Sequence, residues 1–339
     1  MITNVYSHIW SLSNNELIRA NYINTINVLK GFAQNDVIVH CSYTNLFDIE
    51  IVKNLYDLNK YKNIKYFYAD NHNDIFNYIQ KNIITIVYAR DFSLPLFLLN
   101  SKYMGKIYLE SHSPNGPPSN IIKYKEKIIY VTISDILKNI WKFPKTIVFP
   151  CAIDYDFFSQ KPIESINFNY TFNICYCGHV YHYKGIPLLI EASKILKDIG
   201  FHIIGGYKQD IDKYKNYPKN VLFYGHKSQN EVKKYLYSSQ LLILPYTNKH
   251  SQSTTTSPIK LFEYLSTGIP VLSSNIQGIR TWVGENINYY KSDNLQDLCD
   301  KISIIKNNYN QYNKCEQQKI YAKEFSCYNK VKKMINETF

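Results

Sequence analysis

The chain has 339 residues, is 45% hydrophobic and 15% aromatic, and carries a net charge of +12 from 39 basic and 27 acidic side chains. That is enough for two domains of ordinary size with sizeable cores. The positive balance favours an acidic partner: nucleotide phosphates, an anionic membrane surface or nucleic acid. The charge is dispersed, however, with no Arg-rich run, no paired Cys/His spacing and no aromatic ribonucleoprotein box, so no nucleic-acid module is read. Seven cysteines at odd spacings suggest a reducing compartment. Cys175 and Cys177 would share one face of a strand and read as buried thiols, because no second pair follows to complete a metal site. No apolar run reaches a membrane-spanning length of about 18 residues. The start "MITNVYSHIW" lacks a signal-peptide pattern, giving a cytoplasmic expectation.

In chain order, "NVYSHIW" reads as a strand, "ELIRANYINTINVLKGF" as a helix and "DVIVHCS" as a strand. Strands "IKYFYA" and "IITIVYAR", the helix "LPLFLLNSKY", strands "GKIYLES" and "KIIYVTIS", a helix near 135–142 and the strand "KTIVFPC" complete the first half. Residues 151–171 are polar and aromatic, contain Pro, and read as an interdomain linker. The second half runs "FNICYCG" (strand), "IPLLIEASKILKDI" (helix), "FHIIGG" and "NVLFYG" (strands), "QNEVKKYLYSS" (helix) and "LLILPY" (strand). It then continues with a helix in "SPIKLFEYLSTG" and the strand "PVLSS". Such alternation predicts an α/β chain with parallel sheets covered on both faces, in two Rossmann-like halves with a cleft between them. Ligands of such sheets bind beyond the carboxyl ends of the strands.

Those strand ends hold the candidate chemistry. In "YCGHVYHYKGIPLLIEA", Gly178 allows close backbone approach, His179 can donate a hydrogen bond, and Lys184 brings a point charge just before a helix. A polar surface loop is the competing reading. Gly205-Gly206, then Gly225, His226 and Lys227, end the next two strands. In "SPIKLFEYLSTG", Ser257 is expected to cap a helix with Pro258 in its first turn and Gly268 at its stop. The helix tip would collect an anion, and Glu263, one to two turns in, would receive hydroxyls. In the first half, "IYLESHSPNGPP" places Glu110 and His112 at a strand end, as candidates for sugar contacts or acid–base work.

Taken in order, these segments resemble the retaining glycosyltransferases of family four (glycosyl transferases group 1), which have the GT-B fold. The resemblance rests on "CYCGHVYHYKGIPLLIEA", "NVLFYGHKSQNEVKKYLYSSQLLILPY" and "SPIKLFEYLSTGIPVLSSNIQGIRTWV". Weaker marks are "VYARD", "YLESH", "VTISDILKNI…TIVFPCAIDYDFF" and the closing "AKEFSCYNKVKKMI". It implies an acceptor domain over 1–155, a nucleotide-sugar donor domain over 156–321 and a helix over 322–339 crossing back to the first domain. It further implies that Gly178, His179, Lys184, Ser257, Pro258, Ile259 and Lys260 hold the donor diphosphate. Glu263 would bind the ribose, Gly225, His226 and Lys227 would flank the base, and His112 would lie near the donor sugar. Lys184, Glu263 and His112 would carry the catalysis.

The implied reaction is metal-independent, hexosyl-type transfer with retention, from a nucleotide-diphosphate sugar to a glycan, a lipid-linked acceptor or another hydroxyl. UDP or GDP is the expected nucleotide, no cofactor or metal is expected, and a peripheral membrane contact would suit a lipid-linked acceptor. A nucleotide-sugar epimerase of the same double-Rossmann shape, or a catalytically silent nucleotide-sugar binder, are the alternatives. Four departures stand out: Thr255 where many members have Glu, with Thr256 beside it as a weak sugar or phosphate contact; His179 where Arg is usual; "SLSNNE" (11–16) where a Gly-Gly loop is common; and Cys327 in place of a common Trp.

Overall fold

The computed structural model describes residues 4–8, 20–43, 48–313 and 315–337; the "SLSNNE" segment lies outside them. The chain divides into two compact units, one made of residues 1–154 and 325–339, the other of residues 155–324.

The first unit is a seven-stranded parallel sheet. Its strands are β1 (Asn4–His8), β2 (Ile38–Tyr43), β3 (Ile64–Tyr68), β4 (Ile86–Ala89), β5 (Lys106–Glu110), β6 (Ile128–Thr132) and β7 (Thr146–Val148), in the order β3-β2-β1-β4-β5-β6-β7. β4, β6 and most of β5 are buried throughout, as helix-covered parallel strands must be. Much of the tyrosine-rich composition is placed here. Tyr6, Tyr88, Tyr108 and Tyr130 are fully buried, and each hydroxyl is satisfied: by Ser42, Glu110, the Met334 carbonyl, and Ser111 with Thr132. The helix Cys327–Asn336 lies on the helix Ala20–Gln34, with Val331 and Met334 joining Ile26, Leu29 and Phe32 in one core. Gly31 makes this approach possible, since a Cβ there would stand 2.3 Å from the Cys327 carbonyl oxygen. Cys327 is itself buried, and its N–H donates to the Ile153 carbonyl (2.8 Å).

The second unit is a six-stranded parallel sheet of β8 (Phe172–Cys177), β9 (Ile199–Ile204), β10 (Val221–Phe223), β11 (Leu241–Leu244), β12 (Val271–Ser274) and β13 (Asn288–Tyr290). Their order is β10-β9-β8-β11-β12-β13. This is the doubly wound order, and its direction reverses between β8 and β11. Residues 151–171 were expected as an interdomain linker, and part of that stretch is docked on this unit. The Phe157 and Phe158 carbonyls accept from Lys233 and Tyr237, and the Ile166 N–H donates to Ser238. Apolar side chains interleaved in that polar stretch give it a surface to pack on, with Phe158 buried. Among the described residues no helix is long and apolar enough to cross a membrane.

Candidate functional site

In the second unit the crevice position is the carboxyl end of β8 and β11, where the strand order reverses. β8 delivers Gly178 and then a short turn, His182–Lys184, that carries Lys184. β11 delivers Pro245 and Tyr246, and the helix Ile259–Thr267 delivers Lys260 and Glu263. Lys184 Nζ lies 4.3 Å and Lys260 Nζ 5.7 Å from the centroid of the same Tyr246 ring. Lys260 also lies 4.4 Å over the Tyr176 ring and donates to the Tyr176 hydroxyl (3.2 Å). Two ammonium groups therefore share an aromatic floor, an arrangement stabilised by cation–π attraction. Gly178 is required above it: its φ is +139°, and a Cβ would stand 1.9 Å from Lys260 Nζ.

Burial works against these charges. It pushes Lys260 down to about 7, helped by Lys184, and pushes Lys184 down to about 8. Glu263 is 8% exposed, and its burial pushes it up to about 7 against the pull of Lys260. The site thus holds two cations and one weakly ionised carboxyl, a preorganised cradle for an anion that would restore full protonation of both lysines.

The helix tip differs from its sequence expectation. Pro258, not Ser257, occupies the N-cap position and has no side-chain cap of its own to offer, and Ser257 is buried one residue earlier. Proline's φ suits a cap as well as a first turn, and its carbonyl accepts from the Leu261 N–H (3.0 Å). The helix therefore starts at Ile259. Gly268 closes the helix in the left-handed region, as expected. Lys260 points inward, toward the Tyr176 ring.

The remaining candidates gather less tightly. His179 stacks on Tyr181 (5.0 Å between centroids), and its carbonyl accepts from Tyr176 (2.6 Å). The Gly225 carbonyl accepts from the Gly205 N–H (2.7 Å), and the Gly178 N–H donates to Ile204 (2.8 Å), so three strand ends meet. Lys227 pairs with Glu231 (3.4 Å), which is itself part of the capping box of the helix Gln229–Tyr237; His226 is exposed. Thr255 is buried, and the Thr255 and Thr256 N–H groups both donate to the Gln252 carbonyl. Sequence reasoning missed Tyr176 and Tyr246. Their signal was position: one precedes the end of β8 by a residue, and the other follows β11 by two.

The first unit holds a second polar cluster. Glu110, at the end of β5 as expected, is fully buried. It accepts from Asn24 (2.7 Å) and His112 Nε2 (2.8 Å) on one oxygen and from Tyr88 (2.8 Å) on the other, which also pairs with Lys330 Nζ (2.8 Å). Burial alone would raise its pKa, but Lys330, the His112 hydrogen bond and Arg90 hold it well below the usual carboxylate range. Arg90 Nη2 stands 3.4 Å from His112 Nδ1. A guanidinium can only donate, so Nδ1 accepts and Nε2–H donates to Glu110. Burial, then Arg90, pushes His112 down to about 4, so the ring is neutral at pH 7. Both nitrogens are engaged, which makes His112 an oriented hydrogen-bonding group.

Residues 161–325 match the family model described as "Glycosyl transferases group 1". The match spans most of the second unit, a little under half of the chain. A glycosyltransferase of Erwinia amylovora, described as "Amylovoran biosynthesis glycosyltransferase AmsK", is 30% identical over 113 residues, covering 31% of this chain and 28% of that protein's own length. Among solved structures, a glycosyltransferase from Rickettsia africae has a TM-score of 0.73 at 16% identity, covering 99% of this chain and 97% of that one. Anabaena Alr3699/HepE, solved in complex with UDP and glucose, has a TM-score of 0.68 at 12% identity, covering 99% and 100%. At such identities the likeness is one of fold, the GT-B arrangement of two Rossmann-like domains.

Proposed function

We propose that the protein is a glycosyltransferase that takes a sugar from a nucleotide-diphosphate donor, UDP-linked for preference, and passes it to a hydroxyl acceptor with retention at the anomeric carbon. The observation that carries this reading is the pair Lys184 and Lys260 over Tyr246, at the switch point of the group 1 unit. The solved relative with UDP and glucose supports the choice of donor.

In this reading the diphosphate lies on the two ammonium groups and on the N–H groups at the start of the helix Ile259–Thr267, and the ribose hydroxyls meet Glu263. As the bond from the anomeric carbon to the diphosphate oxygen breaks, negative charge grows on the leaving group. The lysines and the helix tip stabilise that charge more than they stabilise the ground state, which is the condition for catalysis. The acceptor oxygen bonds to the anomeric carbon on the face the diphosphate leaves, and its proton passes to the departing diphosphate. The fixed cations supply the neutralisation that a divalent metal provides elsewhere. To meet a sugar hydroxyl, His112 Nδ1 exchanges its 3.4 Å contact with Arg90 for the hydroxyl, while Nε2–H stays on Glu110. A donor-hydrolysis assay tests the proposal: UDP-sugar incubated without acceptor should slowly yield UDP and free sugar, and Lys184→Ala should lower that rate by at least a hundredfold while the protein stays folded. An epimerised donor, or binding without any turnover, would overturn it.

A further inference from the structure

We infer that the amino-terminal edge of the first unit's sheet is a docking surface for an anionic lipid bilayer, with Ile83 and Met104 entering the interface and a field of lysines meeting the headgroups. This goes beyond the transfer reading and does not depend on it.

Because the strands are parallel, the loops that precede β4, β5, β6 and β7 all emerge at one edge, opposite the end that carries Arg90 and His112. These loops read KNIIT (81–85), SKYMG (101–105), KYKEK (123–127) and KFPK (142–145), seven lysines against one glutamate. They form one continuous surface. The Tyr103 hydroxyl donates to the Ile84 carbonyl, the Tyr124 hydroxyl to Asn100, the Lys106 N–H to Thr85, and the Tyr130 N–H to the Lys145 carbonyl. Separately, Lys106 is held below its usual range by partial enclosure and by Lys145, so like charges are crowded here. An anionic surface relieves that crowding.

The apolar content is equally uneconomical for a bare surface. Met104 is 92% exposed and Ile83 79% exposed, and both border a groove of about 430 Å³ lined also by Phe76, Ile79 and Tyr103. Ile83 has φ +52°, a left-handed conformation that a β-branched side chain avoids and that Asn or Gly takes readily. The fold therefore keeps a strained, exposed aliphatic side chain where a polar one would be more stable. Aliphatic tips among lysines suit insertion at a charged bilayer surface, where basic residues add electrostatic attraction to apolar burial. Nucleic acid is disfavoured because Tyr103 and Tyr124 are tied into the protein by their hydroxyls and Phe143 is buried, so these aromatics are not offered for stacking.

The test is co-sedimentation of the full chain with phosphatidylcholine vesicles, with and without phosphatidylglycerol. Binding should require the anionic lipid and fall at least tenfold between 0.15 and 1 M salt, as the screening length shrinks from about 8 to about 3 Å. Lys125→Gln with Lys127→Gln should weaken it roughly 30-fold, at about one lysine's worth of attraction each. Ile83→Asn should weaken it several-fold while leaving the melting temperature unchanged or higher, which separates docking from folding. Equal binding to neutral vesicles, no binding, or binding to RNA that outcompetes the vesicles would overturn the inference.

Discussion

Lys330→Met tests how the returning C-terminal helix holds the first unit's polar cluster. Lys330 and Glu110 are both fully buried, and their ion pair spans 2.8 Å. Removing one member of such a pair strands the other, at a cost of about 3–5 kcal/mol. Glu110 keeps three neutral donors, Asn24, Tyr88 and His112, so the lower end applies, about 3 kcal/mol. For a unit of this size that is a fall in melting temperature of about 6–12 °C. Because the folded pKa of Glu110 lies below its unfolded value, the ionised carboxylate's contribution is present above the unfolded pKa and is lost as pH falls through the folded one. The gap between wild type and Lys330→Met should therefore narrow in acid. In the double variant Lys330→Met, Glu110→Gln, much of the loss should return, since no buried charge remains. Differential scanning fluorimetry of the four proteins from pH 2.5 to 8 provides the cycle and reaches the acid window. A single-variant loss below about 1 kcal/mol, or full additivity in the double variant, would refute the assignment of Lys330 as the partner of Glu110.

Gly178→Ala should abolish nucleotide binding and lower the melting temperature, because the added Cβ meets Lys260 Nζ and the backbone is left-handed; titration with UDP reads it out. Gly31→Ala should destabilise the first unit by about 1–3 kcal/mol, through contact with the Cys327 carbonyl and Val331, as seen in urea melts. Binding of nucleoside diphosphate should also depend on pH. Free Lys260 and Lys184 titrate near 7 and 8, the bound phosphates favour their charged forms, and binding above pH 7 must then take up protons. Affinity should consequently fall as pH rises from 7 to 9, and calorimetry in buffers of different ionisation enthalpy should show proton uptake.

The parallel strands were legible because each is a short apolar run between turn residues, as in "IIYVT" and "LLIL". The helix His72–Lys81 escaped notice because polar residues outnumber Ile75, Phe76 and Ile79. The Asn71–Asp74 capping box was its available signal. The helix Leu295–Asn307 likewise announces itself mainly through its Asn294 cap onto Asp297. In the second unit, residue type pointed to Lys184 after a strand end and to Glu263 on the following helix, and the family resemblance pointed to Lys260. The shared Tyr246 floor depends on how β8, β11 and a helix converge, which spacing along the chain does not encode. The Glu110 cluster was still less legible, since Lys330 arrives from 220 positions away. Ser257 was placed as the cap because serine caps helices often, yet the chain geometry set by Pro258 moved the start of the helix.

The most direct test of the central claim is isothermal titration of UDP into wild type, Lys184→Ala and Lys260→Ala at pH 7. The account predicts saturable one-site binding to wild type, with at least a tenfold loss in each variant and unchanged melting temperatures. Equal affinity in all three proteins would contradict it.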